Sequence, residues 1–482
     1  DGYADLLISD TEDEMKVKRS NIGKSGLLKA VTNPLGGRFE IDYKKTKATP
    51  THPRRWVMES VKVYDGLSGD GVNISKTTYC YDTGYYDRRE KAFYGFAKIT
   101  EYHHQTDNND AVYRKITHYY RNDSIYTQGI LVAEMVQDAM GNKDIYSKNT
   151  YDFQRPVYGN ESPEILSKFP ALREVLTCYY EGQSNPPINQ TQTFTYGAYG
   201  NITQQTEVST SMSPVTVSIT YHPQQNGNYC VGIPGSVEVS GYRKRTTQID
   251  NKGRFTDIDD YYNSNNYLRT HMEYDNYGNC IQIVYPNHSY SYVYDSEVYT
   301  YPISVTDIFG HASYAQDYDF RFGVPRTLID KYGSHMEYTL DQWGRVLTIT
   351  GQKEIDVSQP YTIRYVYNRA VFDNSGNMLQ PASTHTYNFD PEYPSNDIEI
   401  YTYADGLGRI VQTKKDADVN GVEKKVISGR IIYDAFGRAI ANYYPTVQAL
   451  GDTTYYTGVD GVSPSTTQYD ILDRPVQQVA PD

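Results

Sequence analysis

The sequence is short of the residues that build a reactive centre or a dense core. It has 4 cysteines in 482 residues, Cys80, Cys178, Cys230 and Cys280, far apart and with no C-x-x-C pair. That spacing excludes a disulfide framework and argues against zinc, leaving isolated buried or edge thiols. No stretch approaches the roughly 18 apolar residues of a membrane-spanning helix. A glycine-rich phosphate loop, a G-x-S-x-G elbow and an H-E-x-x-H pair are all missing. Basic residues are outnumbered, 46 against 59 acidic, and the formal charge of -13 argues against a partner that is nucleic acid or anionic membrane. Hydrophobic residues make up 38% and mean hydropathy is -0.67, which alone would point towards disorder.

What the chain does have is tyrosine, 51 of them, far more than a disordered segment carries. A tyrosine offers a large apolar ring with a polar tip, which suits a pleated surface wet on both sides. The composition therefore predicts extended sheet, and the length predicts several domains or a repeat array. Asp1 stands where a methionine would begin a chain, without a signal-peptide pattern, so a piece of a longer polypeptide is expected.

Residues 1–7 resemble the end of the calcium loop of integrin-type propeller repeats, with Asp1 and Asp5 surviving from its acidic positions. Two carboxylates cannot satisfy an ion that takes six to eight oxygens, so the expectation is a turn and a strand, with no metal or other cofactor. Strands are expected at Leu27–Thr32, Arg38–Tyr43 and Trp56–Tyr64. Next comes Gly84-Tyr85-Tyr86-Asp87-Arg88-Arg89-Glu90-Lys91-Ala92-Phe93-Tyr94-Gly95-Phe96-Ala97. This stretch resembles the middle-region signature of the B components of bacterial toxin complexes and of related plasmid virulence proteins. Tyr86, Asp87, Glu90, Phe93, Gly95 and Phe96 carry the resemblance; Lys91, Ala92, Tyr94 and Ala97 depart from it. Arg88 and Arg89 are expected to ion-pair with Glu90 or Asp87.

A D-x-x-G turn then recurs along the chain. It stands at Asp138/Gly141, Asp250/Gly253, Asp275/Gly278, Asp307/Gly310, Asp330/Gly333, Asp341/Gly344, Asp373/Gly376, Asp405/Gly408 and Asp434/Gly437. Asp470 closes the series with Asp473 in the glycine position, and Tyr151–Val157 reads as a degenerate copy. Aspartate caps a turn and glycine takes positive φ, so each copy reads as a hairpin. From Asp250 onward they stand about thirty residues apart, the mark of a repeat array whose units rely on their neighbours. With tyrosine upstream, the strongest copies resemble the YD repeats of the Rhs family, which includes the teneurins.

The predicted fold is all-β, with YD hairpins in a spiralling sheet preceded by a β-rich module. Its expected divisions are 1–25 (propeller-like remnant), 26–135 (middle-region-like module) and 136–482 (repeats). The resemblance implies a secreted or cell-surface bacterial protein with no enzyme activity, a shell around a cytotoxic C-terminal cargo. It also implies a companion shell component, or the C-terminal remainder of the same chain, and a translocation pore component as partners. The alternatives are an adhesion or carbohydrate-binding repeat protein, with rings such as Tyr401 and Tyr403 stacked on sugars, and an enzyme with its catalytic domain beyond Asp482. Asp259-Asp260 reads as a solvated turn. His103-His104 cannot share a metal, because adjacent strand residues face opposite ways. The D-x-x-G aspartates are expected to satisfy their own turns rather than bind sugar or calcium.

Overall fold

The structure, a computed structural model, describes residues 6–11, 14–18, 25–49, 54–154, 169–223, 230–374, 378–458 and 461–481. Period-2 alternation of β-branched and aromatic residues makes nearly every element a strand. In Ser289–Tyr294, S-Y-S-Y-V-Y, the alternation is almost complete, and the strand pairs antiparallel with Cys280–Val284 on one side and Pro302–Asp307 on the other. The same rule, each strand beside the next, runs from Ala30–Thr32 to Thr446–Gln448. Two inserts are bypassed. The hairpin Val371–Phe372/Met378–Gln380 stands aside, and Ile431–Tyr433 with Ala439–Asn442 joins Ser465–Tyr469 and Pro475–Val479 in a separate four-stranded sheet. The one helix among the described residues, Gln352–Asp356, is five residues long. The all-β expectation holds.

Large buried side chains are few, so the wall is held laterally by polar pairs across its ladder. Asp259 receives Arg269 through two hydrogen bonds of 2.7 and 2.8 Å, and Asp260 receives Arg245 through two of 2.8 Å. These aspartates sit inside the strand Phe255–Tyr261, not in a solvated turn, and the pleat sends them to separate partners. Tyr151–Gln154 is likewise the end of a strand, with Asp152 opposite Ala171, so that degenerate copy makes no turn there. At residues 87–90 the expected ion pairs give way to a local cap: Asp87 accepts the backbone N–H groups of Arg89 and Glu90 at 2.8 and 2.9 Å.

On the strand Ala92–Gln105, Glu101 stands between His103 and His118, and His118 also meets Glu134 at 3.0 Å. His103 and then His118 hold the Glu101 carboxyl down to about 2, while Glu101 raises His118 above 6.5. The signs differ. The Glu101 contribution is present above 4.5 and lost as pH falls towards 2; that of His118 is present below 6.5 and lost as pH rises through its raised value. Glu101→Gln should therefore destabilise most between about pH 5 and 6.5, with smaller losses on either side, in urea unfolding across that range.

Neighbouring strands alternate in direction, so successive turns fall on opposite rims of the strip. Turns at 33–37, 65–73, 180–187, 240–242, 262–266, 308–311 and 330–334 share one rim. Those at 250–254, 275–279, 295–301, 341–345 and 405–409 share the other. The sheet curls into a barrel-like circuit whose two end strands, Ala30–Thr32 and Thr446–Gln448, do not pair with each other. Side chains and loops complete that circuit: the late turns of the second rim rest on the early turns of the first.

Candidate functional site

Each D-x-x-G turn is built by its aspartate. In the copy at Asp250, the backbone N–H bonds the Arg254 carbonyl at 2.9 Å and Gly253 N–H bonds the Asp250 carbonyl at 3.1 Å. The carboxylate takes the N–H groups of Lys252 and Arg254 on Oδ1 and the Arg254 side chain on Oδ2. The fifth residue thus closes back on the first, which accounts for Arg or Asn after the glycine. Asn142, Asn279, Arg345, Arg409 and Arg438 repeat the side-chain bond to Asp138, Asp275, Asp341, Asp405 and Asp434. His311 does so at Asp307, while at Asp330 the fifth residue is Ser334 and only its backbone N–H bonds the carboxylate. The glycines Gly141, Gly253, Gly278, Gly310, Gly333, Gly344, Gly408 and Gly437 have positive φ, and Asp473 takes the same region at 64°. A Cβ on Gly310 would meet nothing within 4 Å. Gly310→Ala therefore isolates the backbone term and should lower stability by about 1–2 kcal/mol in urea unfolding. Asp373 follows the strand Val371–Phe372; Gly376, Asp1 and Asp5 lie outside the described residues.

Two further aspartate-led turns lack the D-x-x-G spacing, at Asp295, which has no glycine, and at Asp319, whose Gly323 stands one place later. Asp295 accepts five backbone N–H groups, from Glu297 to Tyr301, with Tyr299 in the left-handed region at φ 56°. Asp319 is clamped by Arg321 and Arg326 at 2.7 and 2.9 Å. Both follow a tyrosine, as Tyr294-Asp295 and Tyr318-Asp319.

The tyrosine has its own task. Tyr274 donates its hydroxyl to the Phe255 carbonyl at 2.9 Å, next to the preceding turn, and its ring lies under Arg254 at 4.6 Å. Tyr294, Tyr318, Tyr367 and Tyr469 make the same bond to Cys280, Pro302, Val346 and Ala439. Each unit is thereby stapled to the one before it. Tyr274→Phe should lower stability by about 1 kcal/mol, measured as the urea midpoint, by leaving the Phe255 carbonyl without its donor.

The turn at Asp405 does more, because it lands on the opposite rim. Gly406 N–H bonds the Asp65 carbonyl at 2.7 Å, and Asn33 Nδ2 bonds the Gly406 carbonyl at 2.6 Å. Any Cβ on Gly406 would collide with the backbone of Asp65 and Gly37, so this close approach requires glycine. Arg409 joins Asp405 and Asp65 at 2.5 and 2.9 Å and stacks on Tyr433 at 3.9 Å. Tyr433 N–H bonds the Asp70 carbonyl, and its own carbonyl accepts Val72 N–H. Further along, Ser75 meets Ala435, Tyr113 meets Asp470, Arg114 meets Asp473 and Glu181 meets Arg474. These partners lie between 293 and 373 residues apart, roughly one circuit of the strip.

Asp65, Asp70 and Asp405 are buried together, with carboxylate oxygens within 4.8 Å of one another. Burial, with the Asp70 charge beside it, pushes Asp65 up to about 7 against the pull of Arg409; burial also raises Asp70. Around them Leu67, Met378, Tyr401, Tyr403, Val411 and Tyr433 form an apolar cluster. Tyr403 bonds the Thr453 carbonyl at 2.7 Å, and Gln412 and Lys414 also hold the segment 449–458 over this face. Tyr401 and Tyr403 are 6% and 0% exposed, so neither ring is available to stack on a sugar. Sequence reasoning missed the seam: Asp65-Gly66 at the end of a strand reads as an ordinary turn.

The signature stretch forms a hairpin, with Tyr85 opposite Gly95 and Tyr86 opposite Phe93. Phe96 packs against Phe93 and Tyr81 at 5.1 and 4.9 Å, and Arg55 lies over Phe93. Glu90 is exposed at its tip.

Residues 1–128 match the family described as the insecticide toxin TcdB middle/N-terminal region. No curated protein matches the chain in sequence. Among solved structures, TcdB2-TccC3 without its hypervariable C-terminal region is 13% identical with a TM-score of 0.75, covering 99% of this chain and 36% of that one. TcdB2-TccC3 itself gives 13% and 0.72 over 99% and 34%. The Photorhabdus luminescens Tc holotoxin pore gives 12% and 0.74 over 98% and 35%. The chain thus spans about a third of the length of the structures it matches. In sequence over its first 128 residues, and in fold over nearly its whole length, it resembles the B component of bacterial toxin complexes.

Proposed function

We propose that the chain is a non-enzymatic wall segment of a secreted toxin, part of a β-shell that encloses a cytotoxic C-terminal cargo. The observation that carries this reading is the seating of late turns on early ones, which makes the strip a coil able to continue. The rim that receives those turns is covered near Leu67, which is 3% exposed. Farther along the same rim Tyr242, Tyr262, Phe309 and Tyr332 stand open at 66–81% exposure. An uncovered aromatic row continuous with an occupied seam suits a further circuit of similar strip. Its source is a companion component or the C-terminal remainder of the same chain, and a translocation pore component completes the assembly. In this reading residues 1–25 are a propeller-like remnant, 26–135 the middle-region-like module and 136–482 the repeat wall. The D-x-x-G aspartates and glycines are structural hinges.

Electron microscopy of the full-length chain assembled with its companion tests the reading. A hollow particle with density inside is expected, and a solid particle would overturn it. Serine at Tyr242, Tyr262, Phe309 and Tyr332 together should abolish that assembly while leaving the circular dichroism of the 482-residue chain unchanged.

A further inference from the structure

The geometry points to a binding site for a hard divalent cation, calcium in class, formed by Asp65, Asp70 and Asp405 across the seam. The three carboxylates come from two loops that meet only when the strip closes, and they are 3%, 2% and 0% exposed. One cation is already present: the Arg409 guanidinium joins Asp405 and Asp65. Arg430, beside Gly69 of the Asp70 loop, is a second cation near Asp70, although no hydrogen bond joins the two.

The oxygens are unevenly used. Asp405 accepts Leu407 and Arg409 N–H on Oδ1 and the Arg409 side chain on Oδ2. Asp65 accepts Leu67 N–H on Oδ1 and Arg409 on Oδ2. Neither oxygen of Asp70 has a hydrogen-bond partner, although both are buried, and one of them lies within 4.8 Å of an oxygen of each of the other two carboxylates. Asn73, on the same loop, has a buried Oδ1 that is likewise unpartnered. An unpaired buried carboxylate costs several kcal/mol, so Asp70 must take up either a proton or a compensating cation, and three converging carboxylates favour the cation. A divalent ion supplies the missing charge, and each carboxylate oxygen has a second lone pair to offer it. All donors in the cluster are oxygen, which selects calcium or magnesium over zinc or copper. Irregular loops that can adjust their ligands favour calcium over the stricter octahedron of magnesium. Bound there, the ion would fasten one circuit of the strip to the next, whatever the wall encloses.

Equilibrium dialysis of the 482-residue chain against radioactive calcium at pH 7.5, paired with thermal unfolding in calcium and in chelator, tests the assignment. The wild type should retain one ion per chain, and its seam should melt at a higher temperature in calcium. Asp70→Asn preserves the shape of the side chain, and should weaken binding about tenfold or more and abolish the thermal shift. Asp5→Asn, at the N-terminal partial loop, should change neither. Failure of the wild type to retain calcium would overturn the site, as would binding lost in Asp5→Asn and kept in Asp70→Asn. If Asp70→Asn does not fold, Asn73→Ala provides the second variant, and calcium affinity unchanged there alongside an unshifted wild-type melt would also overturn it.

Discussion

Arg409→Leu is expected to destabilise the seam by about 3–5 kcal/mol, the range for removing one partner from a buried ionic cluster. The guanidinium is shared: it joins Asp405 of its own turn to Asp65 of the opposite rim, and stacks on Tyr433, which continues the seam. Leucine fills part of the volume but leaves three buried carboxylates without their fixed positive charge. Arg409→Lys should recover only part of the loss, since an ammonium is a point charge that cannot fork between two carboxylates while lying flat on a ring. Hydrogen exchange of the Gly406, Val72 and Tyr433 amides is the measurement, because each bonds across the seam. In chelator no divalent ion shares the load with Arg409, so the effect should be largest there. Arg345→Leu serves as the control. It removes the same bond from the turn at Asp341, where no second rim is engaged and the side chain is half exposed, and should cost no more than about 1 kcal/mol.

The contrast between Arg345 and Arg409 shows how far the sequence alone could be read. Both close a D-x-x-G-R turn, and that local chemistry was legible because every partner lies within five residues. Strand assignment was legible for the same reason: alternation in Ser289–Tyr294 or Ile398–Ala404 is a property of neighbours. Asp295 and Asp319 were not legible from the D-x-x-G spacing: Asp295 has no glycine, and Gly323 stands four places after Asp319 rather than three. The physical requirement is one residue at positive φ and a carboxylate to collect N–H groups, and Tyr299 meets the first while Asp295 meets the second. At these two turns the preceding tyrosine was the legible signal, since it bonds to the unit before it.

The seam was not legible at all. Asp65 and Arg409 are 344 residues apart, and nothing near either one distinguishes them from other turn residues. Their meeting depends on the accumulated curvature of many hairpins, which no local pattern encodes. Asp259 and Asp260 failed differently. Two adjacent acids read as solvent-exposed when taken singly, but their charges are answered by Arg269 and Arg245 on the neighbouring strands. In a wall one sheet thick, lateral ion pairs replace the buried apolar layer that usually marks a strand interior.

Tyr403→Ala should open this same region from its apolar side, with an expected loss of about 3–5 kcal/mol for removing a large buried ring. Tyr403 has no exposed surface, stacks along its strand on Tyr401 at 6.3 Å, and meets the edge of Tyr455 at 5.7 Å. Tyr403→Phe separates the ring from the hydroxyl. It keeps the packing and gives up one bond to the Thr453 carbonyl, for which about 1 kcal/mol is expected. Tyr332→Ala, at a rim position 81% exposed, should stay within about 0.5 kcal/mol in the isolated chain. Proteolysis of the segment 449–458 reads the difference directly, because Tyr403 and Gln412 are among the residues that pin it. Rapid cleavage in Tyr403→Ala, slow cleavage in Tyr403→Phe and wild-type behaviour in Tyr332→Ala would establish the ring as the anchor of the seam. Equal cleavage in both Tyr403 variants would assign that role to the hydroxyl, and the few buried rings of this wall would then matter chiefly as hydrogen-bond donors.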